Sequence, residues 1–272
     1  MTSVLDPEQK SKVLPLSVLR LLAALHFEAR VVGGAVRDAL LGRNVGDIDL
    51  ATPLPPDRVK TLLEASGLKA VPTGLPHGTI TAVVDHVGYE ITTLRRDVET
   101  DGRHAEVAFT DDWREDAARR DFTFNALYVD AEGQVYDYFN GEEDAKAGRV
   151  RFIGDAGTRI REDVLRILRF FRFYAFFGKG AADEDAVGAC RELASLIPRL
   201  SVERIAREFM KLLAAKNPLS ALILMSDCGV TPQFLPEAAD LPCLQKLLET
   251  EKQQRARASP RTRLAALLPQ DE

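Results

Sequence analysis

Basic residues are not in excess in this chain. The formal net charge is -5 and the isoelectric point about 5.6. Bulk charge therefore does not draw it to nucleic acid, and any such contact has to come from local patches. Cysteine is scarce: Cys190, Cys228 and Cys243 lie far apart with no CxxC pair. That spacing excludes a disulfide framework and a cysteine zinc site and points to a reducing compartment. Long apolar runs are missing, since none approaches the roughly 18 residues of a membrane span. The opening MTSVLDPEQK has no apolar signal core. Together these absences predict a soluble, cytoplasmic protein with no membrane partner. Internal repeats and low-complexity segments are also lacking. What is present suffices for a packed core: 272 residues, 46% of them hydrophobic, enough for one large or two to three small domains.

Apolar residues at helical spacing predict a helix over 17–27, SVLRLLAALHF, capped by Ser17. ARVV reads as a strand ended by Gly33 and Gly34, AVRDALLG as a short helix closed by Gly42, and DIDLA as the next strand. PPDRVKTLLEASG reads as a helix with proline in its first turn. TITAVVD and YEITTLR flank HVG as an antiparallel hairpin, and ALYVD and QVYDYF flank AEG as a second. From Asp155 onward only helices are expected, punctuated by Gly and Pro. The chain is therefore expected to be α+β up to about residue 153 and all-α beyond, with a further boundary near 230.

The stretch GDIDLAT carries Asp47 and Asp49 one residue apart. On a strand both would face the same way, and their like charges would repel. A hard cation such as Mg²⁺ would compensate, since it takes a few carboxylates together with phosphate oxygens. Two such ions would activate an attacking hydroxyl and stabilise a leaving pyrophosphate. A solvated strand end is the bland alternative for a lone DxD. The turn VVGGAVRD, twelve residues upstream, shifts that balance, because its glycines let backbone N–H groups approach an anion and Arg37 can add a bidentate phosphate contact. Glu90, on the later hairpin, is either a third carboxylate or an exposed strand residue. In RRDFTFNAL, Arg119 and Arg120 can reach a triphosphate, and Asp121 and Asn125 can hold a sugar or cap a turn. The other reading is a helix end whose cations favour the dipole.

In EDVLRILRFFRF, Asp163, Arg166, Arg169 and Arg172 recur every three residues. On one helix this stripe winds slowly, and Asp163 and Arg166 form a natural pair. The other positions are mostly Leu, Ile and Phe, so the charges are expected in a cleft rather than in bulk solvent. An Asp–Arg pair can read a base: the carboxylate accepts from an exocyclic amine and the guanidinium donates to ring acceptors. Cytosine and adenine satisfy that pattern. Uracil and guanine leave polar groups unpaired, which a closed site rejects strongly.

VVGGAVRDALLGRNVGDIDLAT, RRDFTFNAL and EDVLRILRFFRF, in that order, resemble the motifs of class II CCA-adding tRNA nucleotidyltransferases and the related bacterial poly(A) polymerases. DGRHAEVAFTDD resembles the flexible loop between them, and the resemblance covers about residues 28–180. It implies a polymerase-β-like catalytic head over 1–153, a helical neck over 154–230 and the start of a helical body over 231–272. The family continues through body and tail helices that hold tRNA. This chain ends at RTRLAALLPQDE and reads as a truncated or short form with weaker tRNA holding. Asp47 and Asp49 match the metal ligands, and Gly34, Arg37 and Arg120 the triphosphate contacts. Asp163, Arg166, Arg169 and Arg172 match the nucleotide-binding neck helix, where Asp163 and Arg166 serve as a protein template for CTP and then ATP. The implied partners are a tRNA 3′ end, CTP, ATP and Mg²⁺, not DNA; nothing in the sequence marks an oligomeric state. Poly(A) addition is the nearest alternative, and a non-catalytic RNA- or nucleotide-binding module the next. No His–Asp phosphohydrolase pair stands among His26, His77, His86 and His104, and His104 reads as a surface residue.

Overall fold

The computed structural model describes residues 3–97, 107–237, 241–254 and 259–268. Residues 98–106, with His104 and the first half of the stretch expected to be a flexible loop, and residues 255–258 of the basic tail lie outside them. The chain divides into two compact units, Met1–Lys146 and Ala147–Glu272. The first carries α1 (Pro7–Val13), α2 (Leu16–Ala24), β1 (Arg30–Val32), α3 (Gly34–Leu40), β2 (Asp49–Thr52), α4 (Pro56–Ala65), β3 (Lys69–Gly74), β4 (Thr79–Val84), β5 (Val87–Thr93), β6 (Arg95–Asp97), β7 (Val107–Phe109), α5 (Trp113–Ala118), β8 (Leu127–Val129), β9 (Val135–Asp137) and α6 (Gly141–Ala147). Seven strands form one mixed sheet in the order β3-β4-β5-β2-β1-β8-β9, and β6 and β7 pair separately. Within the large sheet only β2 and β5 run parallel.

Alternation builds the core. Ile80, Ala82 and Val84 of β4 and Tyr89 and Ile91 of β5 are buried on one face with Leu50, while Thr79, Thr81 and Glu90 point the other way. The helix expected over 17–27 starts one residue earlier, because Pro15 serves as its N-cap with φ already near the helical value. Ser17 is inside the helix and its hydroxyl meets the Tyr89 hydroxyl at 2.7 Å. The first hairpin turns at Asp85–His86 rather than at HVG, with Val84 opposite Val87. Both turn residues have positive φ, 50° and 66°, as the twist of a two-residue hairpin requires. A non-glycine residue is strained there. His86→Gly should therefore stabilise the protein by on the order of 0.5 kcal/mol, after allowing for the freedom glycine adds to the unfolded chain. A thermal melt should show a Tm about 2 °C higher; a lower Tm would refute the strain.

The regular elements described in the second unit are all helices: α7 (Ala156–Glu162), α8 (Leu165–Phe177), α9 (Glu184–Leu193), α10 (Val202–Leu213), α11 (Leu219–Asp227), α12 (Leu241–Gln254) and α13 (Pro260–Ala265). Asp155, Asp183, Ser201 and Ser259 cap four of them by accepting from backbone N–H groups in the first turn. Ile167, Leu168, Phe170, Phe171, Phe173 and Phe177 bury the apolar side of α8. Buried Arg263 closes the end of α10, donating to the Leu213 and Ala215 carbonyls at 2.6 Å each and pairing with Glu251.

One expectation fails here. EDVLRILRFFRF is not a single helix, because the chain breaks at Asp163, which is extended at φ -146°, ψ 103°. Its Oδ1 accepts from Leu165 N at 3.2 Å, so the side chain supplies the partner that a continuing helix would have taken from the backbone. Asp163 therefore precedes α8 instead of heading its stripe.

Candidate active site

The carboxylates sit where the sheet runs out of partners. β1 pairs with β2 only as far as Val32 opposite Asp49, because Gly33 turns the chain away. β2 thus starts at Asp49, and Asp47 lies in the preceding loop, not on the strand as DIDLA suggested. The reason for expecting a shared face does not hold, yet the two charges still act on each other. Parallel pairing sets Leu50 level with Ile91, so Asp49 and Glu90, one residue earlier on each strand, fall on the same exposed face. Partial burial raises the Asp49 carboxyl above its usual value of 3.8; Glu90 and Asp47 add to this, and only Arg120 opposes them. Among the described residues no group of three or more His, Cys, Asp or Glu side chains is arranged to hold a metal by itself. Hard oxygen donors whose mutual repulsion Arg120 relieves only in part fit a divalent cation that takes its remaining ligands from phosphate and water.

A buried anion organises the arginines. Asp116, 1% exposed, accepts from Arg119 Nε and Nη2 on Oδ1 at 2.9 and 2.6 Å and from Arg120 Nε and Nη2 on Oδ2 at 3.3 and 3.0 Å. The Tyr128 hydroxyl donates to Oδ2 at 2.7 Å. Burial alone would raise the Asp116 carboxyl; Arg120 and Arg119, with hydrogen bonds from Tyr128 and Arg119, outweigh it and hold it below the ordinary value. Arg120 is thereby gripped by Nε and Nη2, and its Nη1 lies 3.7 Å from where a Cβ on Gly33 would stand. Gly33 itself has φ +78° and ψ -127°, a conformation open only to glycine.

Arg37 is buried, with Nε and Nη2 on the two oxygens of Asp38 at 3.0 and 2.9 Å and Nη1 on Asn125 Oδ1 at 2.6 Å. Asn125 Nδ2 donates to Asp121 Oδ1 at 3.0 Å, which also accepts from Phe122 N at 2.8 Å. Asp121 and Asn125 thus tie the turn Thr123–Asn125 to Arg37 and, through it, to the helix that follows Gly33.

In the second unit the expected Asp163–Arg166 pairing is replaced by two others. Arg204 of α10 donates to both Asp163 oxygens at 3.0 and 3.1 Å, and Arg166 donates to Glu162 at 2.5 Å and to the Arg159 carbonyl at 2.8 Å. Arg172 pairs with buried Glu208 at 2.6 Å, and Arg169 lies 5.4 Å from the Phe173 ring centre. Sequence reasoning passed over Asp116, Asp38, Glu162, Arg204 and Glu208. Asp116 was legible, standing three and four residues before Arg119 and Arg120. Arg204, 41 residues from its partner, carries no local signal.

Comparison with known proteins converges on one group. Residues 29–151 match the model described as poly A polymerase head domain, and 182–241 the one described as probable RNA and SrmB-binding site of polymerase A. CCA tRNA nucleotidyltransferase 1, mitochondrial, from Danio rerio is 43% identical over 89% of this chain and 57% of its own length. The CCA-adding enzyme of Streptococcus sanguinis (strain SK36) is 38% identical over 97% of this chain and 65% of its own. The chain thus spans a little over half to about two thirds of these relatives. The Bacillus stearothermophilus CCA-adding enzyme, solved in complex with CTP, superposes with a TM-score of 0.74 at 32% identity, covering 97% of this chain and 67% of that one. The Thermotoga maritima CCA-adding enzyme complexed with tRNA_CCA shares the fold, with a TM-score of 0.78 at 22% identity.

Proposed function

The chain belongs to the family of class II CCA-adding tRNA nucleotidyltransferases and bacterial poly(A) polymerases, and on that premise we propose that it adds CCA to tRNA 3′ ends from CTP and ATP. The observation that carries the reading is the meeting of Asp49 and Glu90 through the parallel β2–β5 pair, beside Asp47 and an arginine held from behind. The first unit handles phosphate chemistry. Asp47 and Asp49, with Glu90, would hold divalent cations, Mg²⁺ by preference; bound there, they supply charge neutralisation and a more acidic 3′-hydroxyl. The tRNA 3′-oxygen attacks the α-phosphorus, the bond to the β-phosphate oxygen breaks, and pyrophosphate leaves as the hydroxyl proton is lost. Arg120, and Arg119 beside it, neutralise triphosphate charge; Gly33 and Gly34 let the backbone approach it, and Arg37, with Asp121 and Asn125, stiffens that turn.

In the second unit Asp163 and Arg166 select the base by the donor and acceptor pattern that cytosine and adenine share, and Arg169 and Arg172 support that helix. Relatives that add CCA, at 38–43% identity, favour CCA over poly(A) addition. No described helix is long and apolar enough to cross a membrane, and three free cysteines suit a reducing compartment such as the cytoplasm.

The test is 3′-end sequencing of a tRNA lacking CCA after incubation with the protein, Mg²⁺ and all four NTPs. Products should end at CCA. A long A tract would assign poly(A) addition. No extension, even of a minihelix acceptor at high concentration, would leave a binding module.

A further inference from the structure

We propose that Arg204 is a specificity-determining positioning residue, which fixes the Asp163 carboxylate so that one oxygen is presented to the exocyclic amine of cytosine or adenine. The inference rests on the base-reading role given to Asp163 above, and it adds a residue that no local motif points to.

The geometry carries it. Arg204 Nη2 bonds both Asp163 oxygens, at 3.0 Å to Oδ1 and 3.1 Å to Oδ2. Oδ1 also accepts from Leu165 N at 3.2 Å. Among the described residues Oδ2 accepts from Arg204 alone, although a carboxylate oxygen has two acceptor positions. The Leu165 bond fixes one oxygen against the start of α8, and the Arg204 bonds fix the rotation of the plane. The second position on Oδ2 is then held in one orientation.

Asp163 needs such a brace. It stands in the extended break between α7 and α8, with its backbone tied to Arg159 and Arg166, but apart from Arg204 its carboxylate has only the Leu165 N–H to hold it among the described residues. Arg204 comes from a rigid source: α10 is capped by Ser201, and Ile205, Phe209, Leu212 and Leu213 are buried along it. The arrangement is poorly explained as a stability device, because the two side chains are 49% and 37% exposed and exposed ion pairs contribute little. Rejection of uracil and guanine depends on a carboxylate facing their O4 or O6 in fixed register. A carboxylate free to rotate offers those bases an escape through a bridging water.

The experiment compares Arg204→Ala, Arg204→Lys and Asp163→Ala in the full chain with wild type. It measures kcat/KM for CTP and UTP on a tRNA lacking CCA, and the affinity for each nucleotide by equilibrium dialysis. Asp163→Ala should abolish the preference for CTP. Arg204→Ala should lower the CTP-to-UTP ratio about tenfold, as small displacements of a positioning group do, mainly by raising KM for CTP and lowering that for UTP. Arg204→Lys should recover part of the ratio, since it restores charge without the planar fork. An unchanged ratio in Arg204→Ala, while Asp163→Ala loses it, would overturn the role of Arg204 and leave the base reading standing. Equal loss for both nucleotides in Arg204→Ala would mark a structural residue and overturn it too. Retained preference in Asp163→Ala would overturn the base reading itself, and this inference with it.

Discussion

Asp49→Asn should cut nucleotide transfer by on the order of 10³-fold, several kcal/mol of transition-state stabilisation, and leave the protein as stable as wild type or slightly more so. The two effects have one cause. The Asp49 carboxyl is raised by partial burial and by Glu90 and Asp47, so its ionised form is penalised in the folded state. A carboxylate whose folded pKa lies above its unfolded pKa opposes folding at neutral pH, and the penalty disappears only below the unfolded value. Asparagine keeps the shape and removes the charge, which relieves Glu90 and Asp47 and takes away a carboxylate proposed to hold Mg²⁺. Function here is bought with stability. Thermal melts with and without Mg²⁺ check the cause separately from turnover. Mg²⁺ should raise the wild-type Tm by mass action and barely move that of Asp49→Asn. Near-wild-type turnover, or a Tm several degrees below wild type without metal, would sink this account.

Asp116→Ala should destabilise the first unit by about 3–5 kcal/mol, the usual cost of stripping one partner from a buried ionic group. Asp116 is 1% exposed and engages Arg119, Arg120 and Tyr128 together. Without it two guanidinium groups confront each other beside a buried hydroxyl. The pH dependence carries a sign that tests the mechanism. Burial pushes the Asp116 carboxyl up, but Arg120 and Arg119 bring it below its ordinary value. Its contribution is therefore fully present above the unfolded pKa of about 3.9 and is lost as pH falls through the depressed folded value. Urea melts from pH 7 down to pH 3 should show wild-type stability falling more steeply at the acid end than that of Asp116→Asn. Parallel curves would mean the charge of Asp116 is not what holds the cluster. Asp116→Asn, which keeps the shape, should fold and still lose triphosphate affinity, because Arg120 is no longer gripped in place.

Much of this molecule was decided locally. Period-two alternation in TITAVV and YEITT, glycine after ARVV and the proline-led helix at 56 follow from sterics and from which face meets water, and the α+β order follows from them. The motif residues suggested their proposed chemistry through their order along the chain, since each carboxylate, glycine or arginine taken singly also has a bland structural use. The nonlocal pairings needed the fold. That Glu90 stands level with Asp49 depends on β5 lying parallel to β2, a choice made by the whole sheet. That Asp163 leaves the helix follows from its side chain outcompeting the backbone for Leu165 N–H, and periodicity has no means to register that competition. That Asp163 is held by Arg204 rather than Arg166 was decided by α10 packing beside α8. Spacing rules describe neighbours on one element; an ion pair spanning 41 residues exists only once two elements have buried their apolar faces against each other.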